Sequence, residues 1–212
     1  RACSQIDAMP IRPPHLQLGD TLGIVAPASA PPDPKNIDRG VATLEKLGFK
    51  VKLAPHVRKR HGFLAGSDRD RAGDLMRMFT DREVNAILCV RGGYGTTRLL
   101  PLLDYRAIRT HAKIFVGYSD ITALHLGILK RAGLVTFHGP MLASAYNNEY
   151  THGAFKRALM EPAPLGEVPD PPREKDFDPP YPPPRLVITE GEAEGPLTGG
   201  NLSLICQVMG SM

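Results

Sequence analysis

The sequence predicts an α/β protein built on a parallel sheet with helices on both faces. Three observations carry this. From Thr21 to about Met160, apolar runs alternate with segments whose apolar residues recur at helical spacing. The connections between them are short, as in strand–helix–strand units. The chain has 212 residues, 42% of them hydrophobic and 23% charged. That length and balance suit a soluble domain with a real core and exclude disorder, collagen-like repeats and a coiled coil for the bulk of the chain.

Thr21-Leu-Gly-Ile-Val-Ala26 reads as a buried strand that Pro27 ends. Asn36 to Leu47 places Ile37, Val41, Leu44 and Leu47 on one helical face, and Gly48 stops it. Lys50 to Ala54 alternates as a short strand. Ser67 caps a helix through Leu75, Met76 and Phe79, with Asp68 and Asp70 in its first turn, where the helix dipole favours them. Val84 to Val90 is a strand that runs straight into Arg91-Gly-Gly-Tyr-Gly95, and a helix is expected from Thr96 to Leu103. Lys113 to Tyr118 forms the next strand, Asp120 to Arg131 the next helix, closed by Gly133, and Leu134 to Phe137 one more strand.

Between Pro162 and Pro184, ten of 23 residues are proline, which reads as an extended, semi-rigid linker. The expected organisation is therefore an α/β domain over 1–161, a linker over 162–184 and the beginning of a second, incomplete domain over 185–212. Those last 28 residues are too few for a core of their own. Their apolar Leu202, Leu204 and Ile205 are expected to lie partly uncovered.

Composition narrows the partners. Aromatic residues make up 6% and Trp is absent, which argues against a base-stacking nucleic-acid surface. The net charge of +4 is interspersed rather than blocked, so it reads as solubility. Cys3, Cys89 and Cys206 have neither disulfide-framework nor metal spacing, and the seven His show no paired metal spacing. Cys89, inside an apolar run, reads as a buried structural thiol, and a reducing, cytoplasmic setting fits. No apolar run approaches the roughly 18 residues of a membrane helix. The first ten residues lack the apolar centre of a signal peptide; Ala2-Cys3-Ser4 resembles the end of a lipoprotein signal, but without the preceding apolar stretch.

In a doubly wound sheet, ligands bind at the carboxyl ends of the strands. The loops at that edge are 27–34, 91–96 and 118–122. In Gly117-Tyr-Ser-Asp120, Ser119 sits on a tight strand-to-helix turn, which can hold its hydroxyl out beside free helix N–H groups. The G-x-S-x-G form is absent, since Ile121 stands two residues on, and an N-cap role for Ser119 or Asp120 stays open. The 91–96 loop can bring backbone N–H groups to an anion or a developing oxyanion; it matches neither a P-loop nor G-x-G-x-x-G, and a tight turn without function stays open. His138 could serve as a base or be a hydrogen-bonded structural His. Asp68, Asp70 and Asp74, near Arg69 and Arg71, read as a solvated helix face.

Seven stretches together resemble the LD-carboxypeptidase family of serine peptidases, which includes the microcin C self-immunity proteins. They are Leu22 to Ser29, Phe63 to Asp68, Arg71 with Asp74-Leu75, Arg91 to Gly95, Gly117 to Thr122, His138-Gly-Pro140 and Gly199-Gly-Asn-Leu-Ser203. The resemblance runs from Leu16 onward. It implies a flavodoxin-like domain with a nucleophile-elbow serine, Ser119, and an oxyanion hole from the backbone N–H groups of Asp120 and Gly93, preferred over Gly92. It implies a Ser–Glu–His triad whose Glu and His follow the Gly-Gly-Asn-Leu-Ser motif, so both are expected beyond Met212. Glu190, Glu192 and Glu194 precede the motif and do not inherit the role. Arg91 could meet a substrate carboxylate or form a structural ion pair.

The implied activity is release of the terminal D-alanine from murein tetrapeptides in peptidoglycan recycling. A microcin-immunity amidase cutting a peptidyl-nucleotide amide is the second reading, and a noncatalytic module binding an anion at the 91–96 loop the third. The partner is then a small peptide or peptidyl-nucleotide, with no nucleic acid, membrane, metal or organic cofactor, and a homodimer is compatible with it.

Overall fold

Five parallel strands form one sheet in the order β2-β1-β3-β4-β5. The computed structural model describes residues 10–143, 149–168 and 186–211. The strands are β1 (Thr21–Val25), β2 (Lys50–Leu53), β3 (Ala86–Cys89), β4 (Ile114–Gly117) and β5 (Phe137–His138). The order reverses between β1 and β3, and this switch point opens a crevice at their carboxyl ends.

The central strands have no polar face. Every residue of β3 and β4 is buried, as expected when helices cover both sides. Helix α1 (Lys35–Lys46) returns the chain to β2, and α2 (Asp68–Thr80) to β3. The latter starts with a capping box: Ser67 accepts from the Asp70 N–H, and the Asp70 carboxylate accepts from the Ser67 N–H. Helices α2, α3 (Tyr105–Thr110) and α4 (Thr122–Ala132) pack side by side. Helix α5 (Glu149–Met160) sends Phe155 edge-on into Phe49, just after α1.

Three elements differ from expectation. Residues Thr96–Leu102 form a 3-10 turn, because Pro101 lacks the N–H an α-helix would use there. Helix α3, too short for a periodic signal, is capped by Asp104 accepting from the Ala107 N–H. Strand β5 begins late because Leu134 and Val135 pair instead with Ile11, across Ile11 N–Gly133 O and Val135 N–Ile11 O bonds.

Most of the proline-rich stretch, 169–185, lies outside the described residues, as does Cys3. Beyond it, α6 (Leu202–Val208) lies against α4. Leu202 is exposed, Leu204 and Ile205 are half-buried, and Val208 is buried. Among the described residues, no helix is long and apolar enough to cross a membrane.

Candidate active site

Ser119 has a φ of +63°, the only positive value among the described non-glycine residues. A left-handed conformation at such a residue costs about 1–3 kcal/mol and persists only where the surroundings impose it. Here they do. Strand β4 delivers Tyr118 fully extended, and a 3-10 turn over Ser119–Ile121 leads at once into α4. The turn's cap residue is Tyr118, not Ser119, and no side-chain hydrogen bond caps it. The Asp120 N–H lies in the first turn, where no intrahelical acceptor exists for it.

The neighbouring loop is pressed against this turn. A β-carbon on Gly92 would stand 2.9 Å from Ser119 Cβ, 3.1 Å from Ser119 Oγ and 3.2 Å from Asp120 N, so only glycine fits. Gly93, at φ +118°, turns its α-carbon towards Ser29, whose Oγ in turn accepts from the Tyr94 N–H at 3.2 Å. The Gly93 N–H has no partner among the described residues. Asp120 joins loop to turn from below. Its buried carboxylate accepts the Thr96 N–H at 2.9 Å, and its carbonyl accepts the Thr96 hydroxyl at 2.5 Å.

Ser119, Tyr118, Gly92, Gly93 and Arg91 face a shared cavity of about 360 Å³ at the carboxyl edge of the sheet. Arg91 is half-buried, and one of its amines donates a long 3.4 Å bond to the Ala30 carbonyl. No His or Glu lines this cavity among the described residues. His138 lies instead on the wall of a larger neighbouring groove of about 1580 Å³, its ring 6.1 Å from that of Tyr118. Partial desolvation lowers its pKa.

Two groups whose part the sequence did not foreshadow support the turn. His125, on α4, is buried with both ring nitrogens engaged. Nε2 donates to the Gly117 carbonyl at 2.8 Å, so Nδ1 accepts from the Thr136 hydroxyl, also at 2.8 Å. Burial pushes its pKa down to about 4, against the pull of the Gly117 carbonyl. Arg71 is the second, and it corrects the expectation of a solvated face on α2. Its guanidinium is buried and bonds the Pro27 carbonyl at 2.5 Å, the Gly95 carbonyl at 3.1 Å and Asp68 at 2.5 Å. Asp74 is buried too, accepting the backbone N–H of His56 at 2.9 Å and facing its Nδ1 at 2.8 Å. Only Arg69 of that set is exposed. The loops carrying Pro27, His56 and Gly95 cover the start of the helix, and their sequence distance hid them. Cys89 is buried, which raises its thiol pKa, and Cys206 is exposed. No group of three or more His, Cys, Asp or Glu arranged for a metal occurs among the described residues.

Residues 22–139 match the model of the LD-carboxypeptidase N-terminal domain. The chain belongs to the LD-carboxypeptidase family. A probable murein peptide carboxypeptidase of Bacillus subtilis is 44% identical over 203 residues, which are 94% of this chain and 60% of that protein. The chain thus spans about 60% of the length of that relative. Among solved structures, the microcin C7 self-immunity protein MccF in complex with aspartyl sulfamoyl adenosine superposes with a TM-score of 0.80 at 28% identity, covering 95% of this chain and 66% of that one. The muramoyltetrapeptide carboxypeptidase of Oxalobacter formigenes gives 0.61 at 33% identity, over 67% of this chain and 48% of that one. The five-stranded parallel sheet flanked by helices is the architecture of this family's N-terminal domain.

Proposed function

We propose that Ser119 is the nucleophile of a serine carboxypeptidase that releases the terminal D-alanine of murein tetrapeptides. The observation that carries this is the left-handed Ser119 at the sheet edge, in contact with Gly92 and sharing a cavity with Gly93. Ser119 Oγ attacks the carbonyl before the terminal residue, and a base takes its proton. The N–H groups of Gly93 and Asp120 receive the oxyanion, a contribution worth about 3–4 kcal/mol per donor in comparable sites. The D-alanine amine leaves with a proton, and water then releases the acyl group from Ser119. Arg91 is placed to meet the substrate's terminal carboxylate. The base and its orienting carboxylate are assigned to the part of the protein following Met212, in a cytoplasmic enzyme that needs no metal or organic cofactor.

The long match to a murein peptide carboxypeptidase favours this substrate over a peptidyl-nucleotide amide. Hydrolysis of a murein tetrapeptide and of an aspartyl-nucleotide amide by the complete gene product decides between them. Preference for the tetrapeptide, lost in Ser119→Ala, is the expected result. Preference for the nucleotide amide would move the protein to the immunity-type activity. Unchanged turnover in Ser119→Ala, with no labelling of Ser119 by a fluorophosphonate probe, would leave the noncatalytic anion-binding reading.

A further inference from the structure

Three residues after Ser119, the first residue of α4 is tied to a segment almost eighty residues away. The Thr122 hydroxyl accepts the backbone N–H of Asn201 at 2.9 Å. The Asn201 side chain accepts the Leu204 N–H at 3.2 Å and caps α6. Gly200 makes the approach feasible. It holds a φ of +141°, and a β-carbon there would stand 2.5 Å from Thr122 Cγ2 and 2.7 Å from Thr122 Oγ1. Thr122 itself is buried, and the Val208 side chain that closes α6 against the body is buried as well. Most of the rest of 186–203 is exposed, so the seat at Thr122 and the contacts of α6 are what fix its path.

We propose that Thr122 is a positioning residue: with Gly200 and Asn201 it forms a seat that sets the chain entering the carboxy-terminal part of the enzyme in register with Ser119. The inference rests on the serine-carboxypeptidase reading, in which the proton acceptor for Ser119 follows α6. A base carried on that part must reach Ser119 Oγ to within hydrogen-bond length, and errors of about 1 Å cost about 10²-fold in rate. The seat suits this task because Thr122 belongs to the nucleophile's own helix. The 3-10 turn transmits no slack: the Thr122 N–H bonds back to the Ser119 carbonyl. Any displacement of the Gly200–Asn201 backbone is therefore a displacement relative to Ser119, not to a remote part of the sheet. Thr122 does not line the Ser119 cavity, so it acts through the seat and not on substrate.

The test is a kcat–KM split in the complete gene product. Thr122→Val keeps the shape and removes the acceptor; kcat on the tetrapeptide is expected to fall about tenfold or more, with KM within about twofold. Thr122→Ser restores the acceptor and is expected to restore kcat to within about threefold. Amide exchange at Asn201 should speed about fivefold in the valine variant, the weight of one hydrogen bond, and not in the serine variant. Gly200→Ala approaches from the other side. It lies in an exposed segment, so it should leave the core's unfolding unchanged while lowering kcat like Thr122→Val. Wild-type kcat in both Thr122→Val and Gly200→Ala, with Ser119→Ala inactive, would overturn the seat and leave the serine reading intact. A rise in KM alone would also overturn it, since that marks a substrate contact. Full turnover in Ser119→Ala would overturn the serine reading, and the seat with it.

Discussion

The strain at Ser119 has a measurable consequence. A side chain at φ +63° is opposed by its own Cβ, and glycine would relieve that opposition. Ser119→Gly is therefore expected to raise unfolding stability by about 1 kcal/mol, less whatever entropy glycine restores to the unfolded chain. Ser119→Ala keeps the Cβ and should gain nothing, while both variants lose fluorophosphonate labelling. Urea unfolding of the three proteins checks it, and a destabilised glycine variant would deny the strain. Gly92→Ala should behave oppositely. Its new methyl would meet Ser119 Cβ at 2.9 Å and push the loop from the turn, lowering activity by about 10²-fold. Ser119 and the 91–95 loop were legible in the sequence because strand, turn and helix follow one another without a gap. The groups that brace them were not. Asp120 reaches Thr96, and Arg71 reaches Pro27 and Gly95, across separations that no local pattern reveals.

Helices α2 and α4 are the elements that hold the site, and on each a buried polar side chain can be tested, Arg71 and His125. On α2, Arg71→Met would leave the Pro27 carbonyl unpaired, take one of its donors from the Gly95 carbonyl, and leave Asp68 with Arg98 alone. Breaking a buried charged network costs about 3–5 kcal/mol; Asp68 is partly exposed and keeps one partner, so about 3 kcal/mol is expected, read as a lower urea midpoint at unchanged slope. On α4, His125 makes stability depend on pH. Its folded pKa, about 4, lies below the ordinary 6.5, so the unfolded chain binds the proton first. Its contribution is fully present above pH 6.5 and is lost as pH falls from about 6.5 to 4, by up to about 3 kcal/mol. His125→Gln should be less stable at neutral pH yet flatter across that window. An equally steep profile in the variant would place the titration elsewhere. The amphipathic α1, the capped α2 and the central strands were readable from spacing alone. A helix was legible at 96–102 but not its 3-10 form, which Pro101 favours, and α3 was too short to register.

At the scale of the whole molecule, the described chain supplies the proposed nucleophile, Ser119, and the proposed oxyanion donors but leaves the Ser119 cavity without a His or Glu on its wall. A serine hydroxyl attacks slowly unless an oriented base accepts its proton. His138 is the nearest sequence candidate, yet it faces the larger groove and lies beside Tyr118 rather than Ser119. The 212-residue polypeptide by itself is accordingly expected to lack meaningful peptidase turnover, retaining at most the roughly 10³–10⁴-fold over water that an oxyanion hole and binding supply. Its exposed Leu186, Ile188, Leu197 and Leu202 should also make it associate in solution, which sedimentation at rising concentration would show. Assaying the 212-residue chain beside the complete gene product on one tetrapeptide checks the catalytic half of this. Equal turnover by the two, abolished in each by Ser119→Ala, would mean that a base acts from within residues 1–212. His138→Ala would then be the first variant to make: its loss of activity would require the ring to reach from the groove to the cavity past Tyr118, which lines both.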